Sequence, residues 1–166
     1  MLRILGLDPG LRHTGWGVVD KDGPKVRFIS AGVINPDDTL SLPERLAELH
    51  EGLKKVITDF SPDEVAVEET FVNKNPTSTL KLGQARGVVI LTPALFGLRV
   101  AEYTPNQIKK MVVGAGHADK NQVDMMVRTL LKAVPEHIPP DASDALAIAL
   151  CHGFMRPTTM INKKTY

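Results

Sequence analysis

Apolar residues recur along this chain first with strand spacing and then with helix spacing. Leu2–Asp8 is a short apolar run that ends at Pro9-Gly10 and reads as a buried strand meeting a turn. Thr14–Asp20 (TGWGVVD) and Lys25–Ile34 (KVRFISAGVI) follow, separated by Asp22-Gly23-Pro24, so the three predicted strands form an antiparallel meander. The period then changes. Ser41-Leu42-Pro43-Glu44 has the form of a capping box, with Ser41 as N-cap. Behind it Leu42, Leu46, Leu49, Leu53, Val56 and Phe60 recur at alternating four- and three-residue spacing, one face of a helix packed on something flat. Ser61-Pro62-Asp63 ends that helix, and Glu64–Thr70 (EVAVEET), bounded by breakers, is the next predicted strand.

The second half repeats the alternation. Pro76 to about Leu95 predicts a helix weakened by Gly83, Gly87 and Pro93, and Arg99–Tyr103 a strand. Thr104-Pro105 opens a short helix, with Thr as N-cap and Pro at the first helical position. Asp119 caps another, whose apolar residues are Val123, Met126, Val127, Leu130, Leu131 and Val134, and Met125 and Met126 are expected to pack in or near the core. Pro139-Pro140-Asp141 starts a last helix, to about Met155. The order β-β-β-α-β-α-β-α-α-α implies one mixed sheet with helices on both faces, an α/β fold. Residues 1–156 are expected to form one domain and 157–166 a frayed C-terminal tail.

Four carboxylates stand out by position. Asp8 ends the first strand, and Glu68 lies near the end of the strand after the first crossover, so a parallel neighbour would bring them together at the carboxyl edge of the sheet. Asp141 and Asp144 are three apart at a helix start and share one face. If that helix end abuts the same edge, four carboxylates converge. Their mutual repulsion is relieved by a hard divalent cation, and an oxygen-only ligand set points to Mg²⁺ or Mn²⁺. Each acid also has a plainer reading: Asp8 as a turn residue, Asp141 as an N-cap, Asp144 as a favourable charge in a first helical turn.

Composition changes this picture little. The 166 residues are 43% hydrophobic and 23% charged, which excludes a disordered or collagen-like chain. Cys151 is the single cysteine, so no intrachain disulfide can form. With no apolar stretch of membrane-spanning length and no signal-peptide core, a soluble, cytoplasmic protein without membrane contact is expected. Charge distribution is more informative. The formal net charge of +1 conceals a net −5 over residues 1–71, +5 over 72–120 and +1 over 121–166. A basic middle segment is what a phosphate binder needs, although a solvated face has the same composition.

The residues also resemble a family. Gly6-Leu7-Asp8-Pro9-Gly10 with Thr14-Gly15-Trp16-Gly17, then Val67-Glu68-Glu69 with Phe71, then Leu80-Lys81-Leu82-Gly83-Gln84-Ala85-Arg86-Gly87, Val112-Val113-Gly114 and Asp141-Ala142-Ser143-Asp144-Ala145-Leu146-Ala147 are similar, in that order, to the RuvC-type Holliday junction resolvases. The resemblance implies a ribonuclease H-like fold with a mixed five-stranded sheet. It implies a homodimeric, metal-dependent endonuclease that nicks four-way DNA junctions symmetrically in recombination and repair, leaving 5′-phosphate and 3′-hydroxyl ends. It assigns the metal-binding catalytic tetrad to Asp8, Glu68, Asp141 and Asp144, with two Mg²⁺ ions (or Mn²⁺) per site, and a branch-migration motor as partner on the same junction. Glu69 stands where relatives often carry Gln. By the same resemblance Lys109 and Lys120 lie near the scissile phosphate, Lys120 with a catalytic part, and Phe71 stacks on opened bases. Lys74, Lys81, Arg86 and Lys110 are further candidate DNA contacts. Gly83 and Gly87, four apart, allow close packing on the sheet or on a second subunit, the sheet being the simpler expectation. Three other readings compete: an RNA-processing nuclease of similar fold, a junction scaffold that does not cut, and an actin-like ATPase. The Lys81–Gly87 block, the intact set of acids and the short chain weigh against them in turn.

Overall fold

The computed structural model describes residues 1–10, 12–69 and 75–156. Phe71, Lys74 and the tail expected over 157–166 lie outside them. The elements are β1 (Leu2–Asp8), β2 (Thr14–Asp22), β3 (Lys25–Ile34), α1 (Leu42–Phe60), β4 (Glu64–Glu68), α2 (Pro76–Leu95), β5 (Arg99–Tyr103), α3 (Pro105–Val113), α4 (Lys120–Leu130) and α5 (Pro140–Met155). Their order is the predicted one. β2 runs two residues further than expected because the turn to β3 is tight, with Gly23 at φ 57° supplying the left-handed residue it needs. β4 stops at Glu68, and α4 stops at Leu130, before Val134.

The five strands lie in the order β3-β2-β1-β4-β5, antiparallel across β3, β2 and β1 and parallel from β1 through β4 to β5. Side chains alternate between faces along each strand. Leu5, Leu7, Val18, Val65 and Val67 point to one face, where Leu49, Leu53, Val56 and Ile57 of α1 and Ala85 and Val89 of α2 cover them. Ile4, Val19 and Ala66 point to the other, under α3, α4 and α5. Fully burying a Val, Leu or Ile side chain contributes about 1.5–3 kcal/mol, so the two layers together pin the sheet between them. The same parity carries Asp8 and Glu68, in step with Ile4 and Ala66, to the α5 face.

α5 touches the sheet more closely than α1 does because glycine and alanine line the contact. A Cβ built on Gly6 would lie 2.1 Å from the Ala145 carbonyl oxygen, and one on Gly15 would lie 2.0 Å from that of Asp141. Gly6 pairs with Gly17 and Asp8 with Gly15 across β1 and β2, so α5 rests in a trough without side chains. Its far end is fixed by a buried polar network. His152 bonds Glu64 through Nε2 and Tyr103 through Nδ1, each at 2.8 Å, and Arg156 donates to Glu64 at 2.8 Å.

Two packing expectations fail. Gly83 and Gly87 do not meet the sheet, since a Cβ on either would touch nothing within 4 Å. Met126 packs against the core, but Met125 is 60% exposed because it falls on the outer side of α4.

Candidate active site

β1 and β4 are parallel neighbours with Leu7 paired to Val67, so Asp8 and Glu68 stand side by side one residue further on. α5 enters the same edge by its N-terminus. Pro139, not Asp141, is its N-cap, and no side chain caps the helix. That leaves the Asp141 carboxylate for the cleft, and the positive end of the helix dipole favours charge on both Asp141 and Asp144. Asp8, Asp141 and Asp144 each offer an oxygen to a cluster whose atoms lie within 4.8 Å of one another. Glu68 stands outside that trio, at the end of the neighbouring strand, close enough for its charge to act on Asp8. The tetrad is thus a trio plus a partner to Asp8, which is the common member.

All four line one cleft of about 290 Å³ with Lys109 and Lys120. Pro105, Ile108, Val123 and Ala147 form its apolar wall. Burial, then the charges of Glu68, Asp144 and Asp141, push the Asp8 carboxyl up to about 8. Burial and then Asp144 raise Glu68 as well, against the pull of Asp8, Lys120 and Lys109. Burial also raises Asp144, while Lys120 opposes it from 3.3 Å. Lys120 is in turn raised, chiefly by the Asp144 charge. Crowded carboxylates that each resist ionisation suit a hard divalent cation, whose charge would relieve their repulsion.

The other predicted basic residues separate. Lys110 is exposed on α3 and does not line the cleft, and Lys81 lines a different pocket. Arg86 is engaged within the fold. It donates from Nη1 to the Glu68 backbone carbonyl at 2.8 Å and from Nη2 to Glu102 Oε1 at 2.6 Å, so it ties α2 to the ends of β4 and β5. Replacing Arg86 with Gln should lower the turnover rate about 10–100-fold, as loss of a group that orients a metal ligand does, with junction affinity unchanged. An equal loss in affinity measured by fluorescence anisotropy would make Arg86 a DNA contact instead.

Sequence reasoning missed a second supporting cluster. Ser143 donates to Asp124 Oδ1 at 2.6 Å, and Arg128 donates to Asp124 Oδ2 at 2.8 Å and to the Pro135 carbonyl at 2.8 Å. The Ser143 hydroxyl, helped by Arg128 and opposed by burial, holds the Asp124 carboxyl below its usual range. These bonds lock α4 onto α5, which keeps Lys120, the first residue of α4, beside Asp144. The visible signal was the helical i,i+4 pair Asp124–Arg128 and a hydroxyl residue between two acids; its partner across 19 positions was not visible.

A family described as crossover junction endodeoxyribonuclease RuvC matches residues 4–152, nearly the whole chain. The chain belongs to the RuvC family. A RuvC from Rhodopseudomonas palustris (strain BisA53) is 60% identical over 157 residues, covering 93% of this chain and 88% of that protein. One from Paramagnetospirillum magneticum is 59% identical over 157 residues, covering 95% and 94%. Among solved structures, Thermus thermophilus RuvC in complex with a Holliday junction substrate superposes with a TM-score of 0.85 at 36% identity, covering 93% of this chain and 94% of that one. The yeast mitochondrial Holliday junction resolvase Ydc2, at 16% identity and a TM-score of 0.67, shares the fold. The RuvC fold and the ribonuclease H-like architecture expected from the sequence are thereby established, and so is nuclease family membership.

Proposed function

We propose that this chain is a structure-selective endonuclease that resolves four-way DNA junctions by paired nicks, leaving 5′-phosphate and 3′-hydroxyl ends, in recombination and repair. The observation that carries the reading is the convergence of Asp8, Asp141 and Asp144, with Glu68 in the same cleft, beside two lysines in a member of the RuvC family. Asp8, Asp141 and Asp144 would hold one Mg²⁺ ion, and Asp8 and Glu68 a second, with Mn²⁺ able to substitute. When bound, such ions supply a hydroxide-like water and stabilise a leaving oxygen.

The chain's own groups do the rest. Lys120 and Lys109 hold the scissile phosphate and offset the charge that develops on it. Ile108 and Val123 present an apolar wall that limits bulk water and strengthens those charges. Arg86 fixes the backbone of Glu68, and Ser143–Asp124 fixes Lys120 against Asp144. Phe71, one strand-end away from Glu68 in sequence, is assigned to base stacking, which is worth about 1–3 kcal/mol per base. Lys74 and Lys110 are assigned peripheral phosphate contacts.

A junction has two-fold symmetry and needs two nicks, which a symmetric dimer supplies. α2 offers the surface. Leu80, Leu91 and Leu95 are 65%, 55% and 67% exposed, and Gly83 and Gly87 open the helix backbone on that side. A second copy of the chain would cover this stripe. Leu91→Glu should therefore give monomers in sedimentation and convert paired nicks into single ones, whereas an unchanged dimer would place the interface elsewhere. Family membership supports a branch-migration motor as partner on the same junction. None of the described helices is long and apolar enough to cross a membrane, in keeping with the cytoplasmic assignment.

The test is incubation with an end-labelled synthetic four-way junction and Mg²⁺. Paired symmetric nicks are expected, and equal cutting of linear duplex would overturn the reading.

A further inference from the structure

The elements that deliver groups to the acidic cleft meet a second time in the core, through side chains that do not line it. β4 carries Glu68, β5 runs into α3 with Lys109, and α5 carries Asp141 and Asp144. Glu64 opens β4, Tyr103 closes β5 and His152 lies near the end of α5, each more than nine-tenths buried. Against the burial that would raise it, bonds from Arg156 and His152 hold the Glu64 carboxyl below its usual range. Glu64 is therefore an acceptor, so Nε2 of His152 donates to it and Nδ1 accepts from the Tyr103 hydroxyl, each at 2.8 Å. Burial pushes that hydroxyl up to about 12, so it keeps the proton it donates. One imidazole thus ties α5 to both β4 and β5.

The other contacts of α5 leave one motion weakly held. Over Gly6, Gly15 and Gly17 no side chain of β1 or β2 stands between the helix and the strands. Backbone against backbone resists lifting of the helix, but apolar burial is non-directional and resists sliding along the helix axis less. A hydrogen bond has a narrow range of length and angle, and so opposes that slide. His152 lies eight residues beyond Asp144, about 12 Å along the axis. A helix is rigid over that span, so a slide at His152 reaches Asp144 undiminished. Tyr103 anchors the strand side. It pairs in register with Glu68, and its carbonyl accepts from the Glu69 N–H at 2.8 Å.

We propose that His152 is a positioning residue for the acidic cleft: by joining Tyr103 and Glu64 it sets how far α5 reaches over the sheet, and so the span from Asp141 and Asp144 on the helix to Asp8 and Glu68 on the strands. This rests on the divalent-metal reading above. The test is Mn²⁺ binding by the DNA-free protein, read from the EPR signal of free Mn²⁺, for the wild type, Tyr103→Phe, His152→Gln and the two combined. Phenylalanine keeps the ring in the core and removes only the hydroxyl. Glutamine keeps a donor for Glu64 but not the ring that joins it to Tyr103. Each single variant should bind Mn²⁺ about tenfold more weakly, the low end of losses seen when an outer support of a metal site is removed. The double variant should be no weaker than the worse single, because both break one tie. Ile57→Val, in the layer on the other face of the sheet, controls for stability alone. It should lower Tm about as far as Tyr103→Phe and leave Mn²⁺ affinity unchanged. Unchanged Mn²⁺ affinity in Tyr103→Phe, losses that multiply in the double variant, or an equal loss in Ile57→Val would each overturn the proposal. So would a loss of junction affinity in EDTA in step with that of Mn²⁺, which would make the tie a support of the fold at large. A wild type that holds Mn²⁺ but nicks no junction fails the nuclease reading and leaves this comparison standing.

Discussion

Asp8→Asn should abolish nicking and, in the absence of metal, leave the protein more stable than the wild type. Asp8 belongs to the aspartate trio and stands beside Glu68, so its amide removes a donor from both proposed metal positions. Losing even an outer partner of a metal site costs about 10–100-fold, and losing a shared ligand should cost more. The stability gain follows from protonation. The Asp8 carboxyl sits at about 8 in the folded chain against 3.8 in the unfolded one. Between those values the folded state holds a proton that the unfolded state has lost, so wild-type stability falls as pH rises from about 4 through about 8. Asparagine has no proton to lose and escapes the penalty. In EDTA the variant's Tm should therefore exceed the wild type's by a margin that widens over that window and then stays level. Mg²⁺ should narrow the gap, since a ligand at 100 times its Kd stabilises by about 2.7 kcal/mol and the variant has lost the site for it. Equal Tm values at pH 5 and pH 8.5 would show that Asp8 is not crowded by its neighbours. Junction affinity should survive the substitution, and its loss in step with activity would make Asp8 structural.

Gly15→Ala should be nearly as damaging without touching a charged group. A methyl there would lie 2.0 Å from the Asp141 carbonyl and 3.0 Å from its Cβ. The obstacle is backbone, not a side chain that can swing away, so the first turn of α5 must lift. Overpacking of this kind costs about 1–3 kcal/mol in stability. The larger effect is on geometry, because Gly15 pairs with Asp8 across the strands while Asp141 sits directly above it. Displacing reacting groups by about 1 Å can cost about 100-fold in rate. We expect turnover to fall by about that factor while the protein still folds and binds junctions. Gly116→Ala is the contrast: its methyl would meet nothing closer than the Asn106 carbonyl at 3.9 Å, and activity should be unchanged. Wild-type turnover in Gly15→Ala would mean that the close seat of α5 does not set the site.

Much of this was legible in the sequence because it is periodic. An apolar run ending at Pro9-Gly10 marked the first strand and breakers on either side marked Glu64–Thr70, and the alternation of faces along a strand then puts Asp8 and Glu68 on one side. What the sequence could not show were distances across the fold. The separation of the tetrad into a trio and Glu68 depends on how far α5 slides over β1, which no local pattern encodes. Arg86 stands in a basic segment like any surface cation, and only its bonds to the Glu68 carbonyl and Glu102, 18 and 16 positions away, reveal its task. Gly83 and Gly87 misled for the opposite reason. Small residues four apart announce close packing, but whether the partner is the sheet or another molecule depends on which way the helix is turned.

The seating of α5 on the glycine trough has a consequence for how the activity comes into being. Half of the acidic cluster lies within the first 68 residues of the chain and the other half at 141 and 144, joined only when the last helix closes over the meander. Contacts between such distant positions form late, after the local hairpins. During synthesis and refolding, the sheet and α1 can be in place while the cleft is still half built. A nascent chain shorter than about 140 residues therefore carries the fold's beginnings but no means of cutting DNA.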